Sequence, residues 1–180
     1  MFNKVISVFI LSLMFIGCSS APKVTAPKVA ADAKFLVKDF AFNLSQKRQV
    51  EDYPIQNELS QLVYEGIAEA LENDDMMAAH EANAVPVSIV INYQRRFAGE
   101  ETPFPSKSVT NPIVGYSIAI LEDDEEIGRI TKSGLTTNKG FLSNLKTAAT
   151  MGAGNDAQTE MADVHRLTDA IVAELKNLRE

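Results

Sequence analysis

Tryptophan is missing from the 180 residues, cysteine occurs once and histidine twice. One cysteine cannot build an intramolecular disulfide framework, and so few Cys and His ligands leave the usual zinc sets out of reach. Basic residues are outnumbered: 17 Lys and Arg stand against 24 Asp and Glu, for a net charge of −7. A body of that sign lacks the basic footprint that nucleic acid or an anionic bilayer surface requires, so no nucleic acid is expected as a partner. What is plentiful is apolar. A hydrophobic content of 46% excludes a disordered chain. The length suits one domain with extensions, large enough to bury roughly two-thirds of its unfolded surface.

The first apolar stretch stands apart from the rest. Met1-Phe2-Asn3-Lys4 is a short, positively charged start, and Val5 to Ile16 follows with only Ser7 and Ser12 interrupting it. A bilayer-spanning helix needs about 20 apolar residues, so this shorter run reads as an export signal rather than a permanent anchor. It ends in Phe15-Ile16-Gly17-Cys18. That tetrapeptide resembles the lipobox of bacterial lipoproteins, with Phe15 where Leu is usual. The resemblance implies that residues 1–17 are recognised through Phe15, Ile16 and Gly17 and removed by signal peptidase II. Cys18 then becomes the lipid-modified N-terminus of the mature protein. The competing readings of Cys18 are a buried thiol, or a cysteine that happens to follow an ordinary cleavage site. Ser19 resembles the outer-membrane sorting signal of enteric lipoproteins, where Asp would favour the inner membrane. Acyl chains, palmitate among them, contribute about 0.8 kcal/mol per buried CH₂, so two or more anchor stably. Cleavage also removes Lys4, which makes the mature body one unit more acidic.

Residues 18–34 follow as the lipidated Cys and a flexible tether. Ala-Pro-Lys-Val occurs at 21–24 and again at 26–29 with no helical or strand period. Pro22 and Pro27 favour an extended chain, and Ser19 to Lys34 at about 3.1 Å per residue would reach roughly 50 Å.

A single globular domain is expected over 35–180. Phe35 to Phe42 is short, aromatic and β-branched, as a strand is. Ile55, Leu59, Leu62, Val63, Ile67, Ala70 and Leu71 recur at helical spacing, entered through Asp52 and Pro54 and closed near Asn73. From Val85 the period becomes two, with Val87, Ile89, Ile91 and Tyr93 in phase. Tyr116, Ile118 and Ile120 repeat that phase, Glu122 to Glu126 turns the chain, and Ile127 to Thr137 returns as a hairpin partner. Phe141 to Ala149 suggests a short helix, broken by Gly152-Ala153-Gly154. Asn155 and Gln158 imitate a capping box before a stripe of Met161, Val164, Leu167, Ile171, Leu175 and Leu178. The expected fold is α+β: a mostly antiparallel sheet of about four strands with helices packed on one face, in the order β-α-β-β-β-α-α. If the first two strands are neighbours, the helix between them requires that they run parallel. The layout is similar to groups of small bacterial envelope lipoproteins and to the N-terminal α/β domain of TolB-like proteins, a resemblance that carries no functional residue with it.

No motif announces catalysis. There is no Gly-x-Ser-x-Gly elbow. His165 borders the last helical stripe, and His80 lies with Met76 and Met77 in an acidic stretch where a soft metal is the lesser reading. Glu122 to Glu126 lacks the ligand alternation of a calcium loop, and Gly152-Ala153-Gly154 lacks the rest of a phosphate-binding fingerprint. No cofactor or metal site is expected. The segment with most to offer is 94–107, which carries Arg95, Arg96, Phe97 and Phe104 and opens the long linker 98–112. Loops of that length are commonly functional, and Arg and aromatic residues carry much of the energy of interfaces. It reads either as a partner-binding loop or as a surface where Arg95 or Arg96 pairs with Glu100 or Glu101 and Phe104 covers a sheet edge.

The sequence therefore points to a periplasm-facing protein, lipid-anchored through Cys18 to the bacterial outer membrane, with a non-catalytic binding or assembly role and an envelope protein as partner. One alternative is a periplasmic hydrolase acting on cell-wall or lipid material with carboxylates such as Asp39 and Glu100. Another is a solute-binding component with a closed apolar pocket between the sheet and the last helix.

Overall fold

The period-two pattern beginning at Val85 builds the central strand. The computed structural model describes residues 26–104, 106–135 and 156–180. Within it β1 spans Lys34–Ser45 and β2 Ala84–Phe97, followed by β3 (Val109–Glu122) and β4 (Glu125–Leu135). One side of β2 is buried through Val87, Ile89, Ile91, Tyr93, Arg95 and Phe97, as alternation in a pleated strand requires. β3 answers with Val114, Tyr116, Ile118 and Ile120, and the antiparallel register sets Ile89 opposite Ile118 and Ile91 opposite Tyr116. β3 returns into β4 through Asp123 and Asp124, whose φ values of 50° and 69° match a type I′ turn. That turn twists in the sense the two strands need.

The expectation of a mostly antiparallel sheet is corrected. The sheet is mixed, in the order β1-β2-β3-β4, with β1 parallel to β2 and the other two pairings antiparallel. The cause is the connection: α1 (Gln56–Asn73) lies between β1 and β2, and a helical crossover returns the chain in the same direction. The outer edge of β1 is covered where it begins. Phe35 N–H donates to Met76 O at 2.7 Å, and Ala78 N–H donates to Phe35 O at 2.9 Å. A register shift between Val37 and Asp39 then makes a bulge at Lys38.

Of the stripe its spacing specifies, α1 buries Leu59, Val63, Ile67 and Leu71 and half-buries Leu62 and Ala70, while Ile55, at the helix boundary, is 52% exposed. Its first turn is closed by Glu58, whose carboxylate accepts the Ile55 N–H at 2.9 Å. α2 (Asp156–Leu178) buries Val164, Leu167, Ile171, Leu175 and Leu178. Both helices contribute to one apolar cluster with the buried side of the sheet. They approach closely at Gly66, where a Cβ would lie 3.0 Å from Thr168 Cγ2.

The segment before β1 is joined to the end of α2. Val29 N–H donates to Leu178 O at 2.9 Å and Glu180 N–H donates to Val29 O at 3.1 Å. Arg179 Nε donates to Ala33 O at 2.8 Å. Ala26 and Pro27 cross β4 at Gly128, where any Cβ would collide with both. The lipobox with Cys18, the short helix expected over 141–149, the glycines of 152–154 and Asn155 lie outside the described residues.

Candidate functional site

Of the residues singled out in the sequence, Arg95, Arg96, Phe97 and Phe104 gather at one end of the sheet, where β1 and β2 finish and both helices begin. Their roles divide by strand phase. Arg95 shares the inward phase of Tyr93 and Phe97 and is only 3% exposed, whereas Arg96 points outward. A buried guanidinium demands compensation. Arg95 finds it in α2: Nε donates to Glu160 Oε1 at 2.7 Å and Nη2 to Oε2 at 2.8 Å, a bidentate pair. Nη1 donates to Gln46 Oε1 at 2.8 Å and Nη2 to Pro54 O at 2.7 Å. Four donor contacts leave little of the fork free for a ligand. Arg95 is thus a brace between β2, α2 and the 46–55 connection, and it pairs with neither Glu100 nor Glu101.

Aromatic rings complete the brace. The Arg95 guanidinium lies 5.3 Å from the Tyr53 ring centre, and Tyr53 meets Phe97 edge-on at 5.6 Å. Tyr53 Oη donates to Lys107 O at 3.0 Å and accepts the Val109 N–H at 3.3 Å, which fixes the start of β3. Arg48 lies over Phe97 at 4.7 Å, its Nε and Nη2 buried without a hydrogen-bond partner among the described residues.

Behind this brace sits a second carboxyl. Asp163, one helical turn beyond Glu160, is 6% exposed, and burial pushes its pKa up to about 6 despite Arg166 Nη1 at 2.9 Å. Burial also raises the Tyr93 hydroxyl well above its ordinary value, and the charges of Glu160 and Asp163 add to the effect.

The connection over this end is shorter than the expected 98–112, because β3 starts at Val109. It runs through 98–108 and bonds to itself: Ala98 N–H donates to Ser108 O and Ser106 N–H to Ala98 O, both at 2.9 Å. Gly99 has φ of 68°, where a glycine is needed, and its carbonyl accepts the Thr102 N–H at 2.8 Å. An ion pair between Lys47 and Glu101 ties the connection to the segment after β1. Phe104 covers no sheet edge: it is 91% exposed. Arg96 and Lys107 flank it in sequence and are exposed as well.

The other candidates stay apart. Asp39, in the middle of β1 beside Ser88, and Glu100, beyond the end of β2, are separated along the sheet by roughly 30 Å of strand and form no catalytic pair. His80 and His165 are exposed. Among the described residues no cluster of three or more His, Cys, Asp or Glu is arranged to hold a metal. No described helix is long and apolar enough to cross a membrane. An open cavity of about 410 Å³ lies at the opposite end, lined by Val29, Val85, Pro86, Ile120, Leu121 and Ile127 among others, with no residue of α2 in its wall.

Glu160 and Asp163 escaped the sequence reading. The available signal was the phase of β2: alternation from Val87 carries Arg95 inward and so requires a buried carboxylate elsewhere in the chain.

No family model matches the chain, and no curated protein matches it. Among solved structures, the rare lipoprotein B from Shewanella oneidensis is 16% identical, with 76% of this chain and 94% of that one covered and a TM-score of 0.36. The PelC dodecamer from Paraburkholderia phytofirmans is 14% identical, with coverages of 81% and 94% and a TM-score of 0.26. Similarity this distant assigns neither family nor activity to the chain.

Proposed function

We propose that the chain is a lipid-anchored envelope protein that faces the periplasm and acts as a non-catalytic binding or assembly module. Cys18 would carry the anchor, and the Ser19 signal would direct it to the outer membrane. The observation that carries the binding role is Phe104, 91% exposed on a connection that its own backbone bonds hold in shape. A pre-organised loop loses little entropy when it docks, and an exposed aromatic beside basic side chains is the usual centre of an interface. The Arg95 fork is occupied by Glu160, Gln46 and Pro54, which leaves contact to Arg96, Phe104 and Lys107.

Two experiments test the two halves of the reading. Cys18→Ser is expected to move the protein from the membrane fraction to the soluble fraction; unchanged sedimentation would sink the anchor. An Arg96→Ala/Phe104→Ala double variant is expected to lose a cross-linked envelope protein that the wild type retains. An undiminished yield would remove the loop as the contact.

A further inference from the structure

Among the described residues, the chain downstream of Cys18 is held to the body at one end. Val29 is bonded on both its N–H and its carbonyl to the end of α2, at 2.9 and 3.1 Å, and Ala26 and Pro27 lie across Gly128 of β4. The strand register identifies what shares that end. Lys34 pairs with Ala84 and Ile120 with Gly128, so the starts of β1 and β2, the Asp123-Asp124 turn and the end of α2 lie together. Phe97 pairs with Val109 at the far end, which therefore carries the 98–108 connection and Phe104.

Lengths decide what this clamp permits. Only the seven residues 19–25 separate Cys18 from the clamped Ala26, and they reach at most about 25 Å. β2 has 14 residues, so the two ends of the body lie about 45 Å apart. A tether free from Ser19 through Lys34 would exceed that distance and let the body invert. The clamped one is too short to do so.

We infer that the contact of Val29 with the end of α2 orients the protein on its membrane, with the Asp123-Asp124 turn toward the bilayer that holds Cys18 and Phe104 directed away from it. The inference rests on the proposed lipidation of Cys18. It specifies the kind of partner that the Phe104 loop meets: a protein presented on the aqueous side, some tens of ångströms from the anchoring leaflet, rather than one embedded in that leaflet.

The test uses the full-length acylated protein in vesicles of phosphatidylethanolamine and phosphatidylglycerol that contain an acceptor-labelled lipid. With Cys18 acylated, an introduced cysteine is the thiol that takes the donor dye. Asp123→Cys is expected to transfer energy to the bilayer several-fold more efficiently than Phe104→Cys. Equal or reversed efficiencies in vesicle-bound protein would overturn the orientation while leaving the anchor intact. Protein that fails to float with vesicles would overturn the anchor, and the orientation with it. Adding Val29→Pro together with Gly128→Val, which remove the N–H given to Leu178 O and force Ala26 and Pro27 off β4, is expected to bring the two efficiencies together. Val29→Pro together with Arg179→Ala, which removes the side-chain bond to Ala33, serves as a milder second variant should the first fail to fold. An unchanged ratio in a folded variant would overturn the clamp as the cause.

Discussion

The Arg95 guanidinium and the Glu160 carboxylate, 65 residues apart in sequence, meet in two hydrogen bonds of 2.7 and 2.8 Å with almost no access to water. Removing one member leaves the other buried and unpaired. Arg95→Ala and Glu160→Gln are each expected to lower stability by about 3–5 kcal/mol in urea denaturation. An Arg95→Met/Glu160→Leu double variant should recover most of that loss, because no charge is then stranded. Singles within 1 kcal/mol of wild type would contradict the brace, a threshold set by the small worth of exposed pairs, about 0–1 kcal/mol.

Asp163 makes stability depend on pH in a defined direction. Its carboxyl binds a proton more readily in the fold, at about 6, than its ordinary 3.8. The stabilisation from this preference is complete below the unfolded value and is lost as pH rises through about 6. Asp163→Asn is expected to be more stable than wild type by roughly 1–3 kcal/mol at neutral pH and to match it near pH 4, where wild type is protonated. Thermal melts across that range check the convergence, and a gap independent of pH would contradict the assignment.

The β3–β4 turn holds two aspartates at positive φ. Asp123→Asn with Asp124→Gly supplies the residues that adopt this geometry at least cost and is expected to add about 1 kcal/mol. The exposed ion pair from Lys38 to Asp124 is lost in the exchange, and such pairs are worth little.

Gly66 is a packing residue. A side chain there meets Thr168 across the helix contact, so Gly66→Leu is expected to cost about 1–3 kcal/mol, seen as a lower melting temperature.

Most of the secondary structure was legible because its periods are clean. The stripes of α1 and α2 and the alternation of β2 and β3 place the buried residues the structure buries. The parallel pairing of β1 was conditional in the sequence, since periodicity does not report which strands are neighbours. The start of β3 was hidden by Pro112, which reads as loop. A register shift opposite Gln94 and Arg96 makes a bulge there, and a bulge accommodates a residue that cannot donate to the ladder. The site was half legible. Arg96, at the end of β2, and Phe104, on the loop, lie exposed, but Arg95 and Phe97 were read by composition when their parity with Tyr93 was the stronger fact.

The treatment of the β1 edge bears on how the protein tolerates crowding, including the crowding that the proposed lipid anchor would impose. Two-dimensional confinement raises local concentration, and a straight, open edge strand then becomes a template for sheet extension from molecule to molecule. Met76 to Ala78 occupies the first positions of that edge, and the bulge at Lys38 bends the next and places a charge there. A strand pairing along the whole edge would have to break two good hydrogen bonds and accommodate a kink.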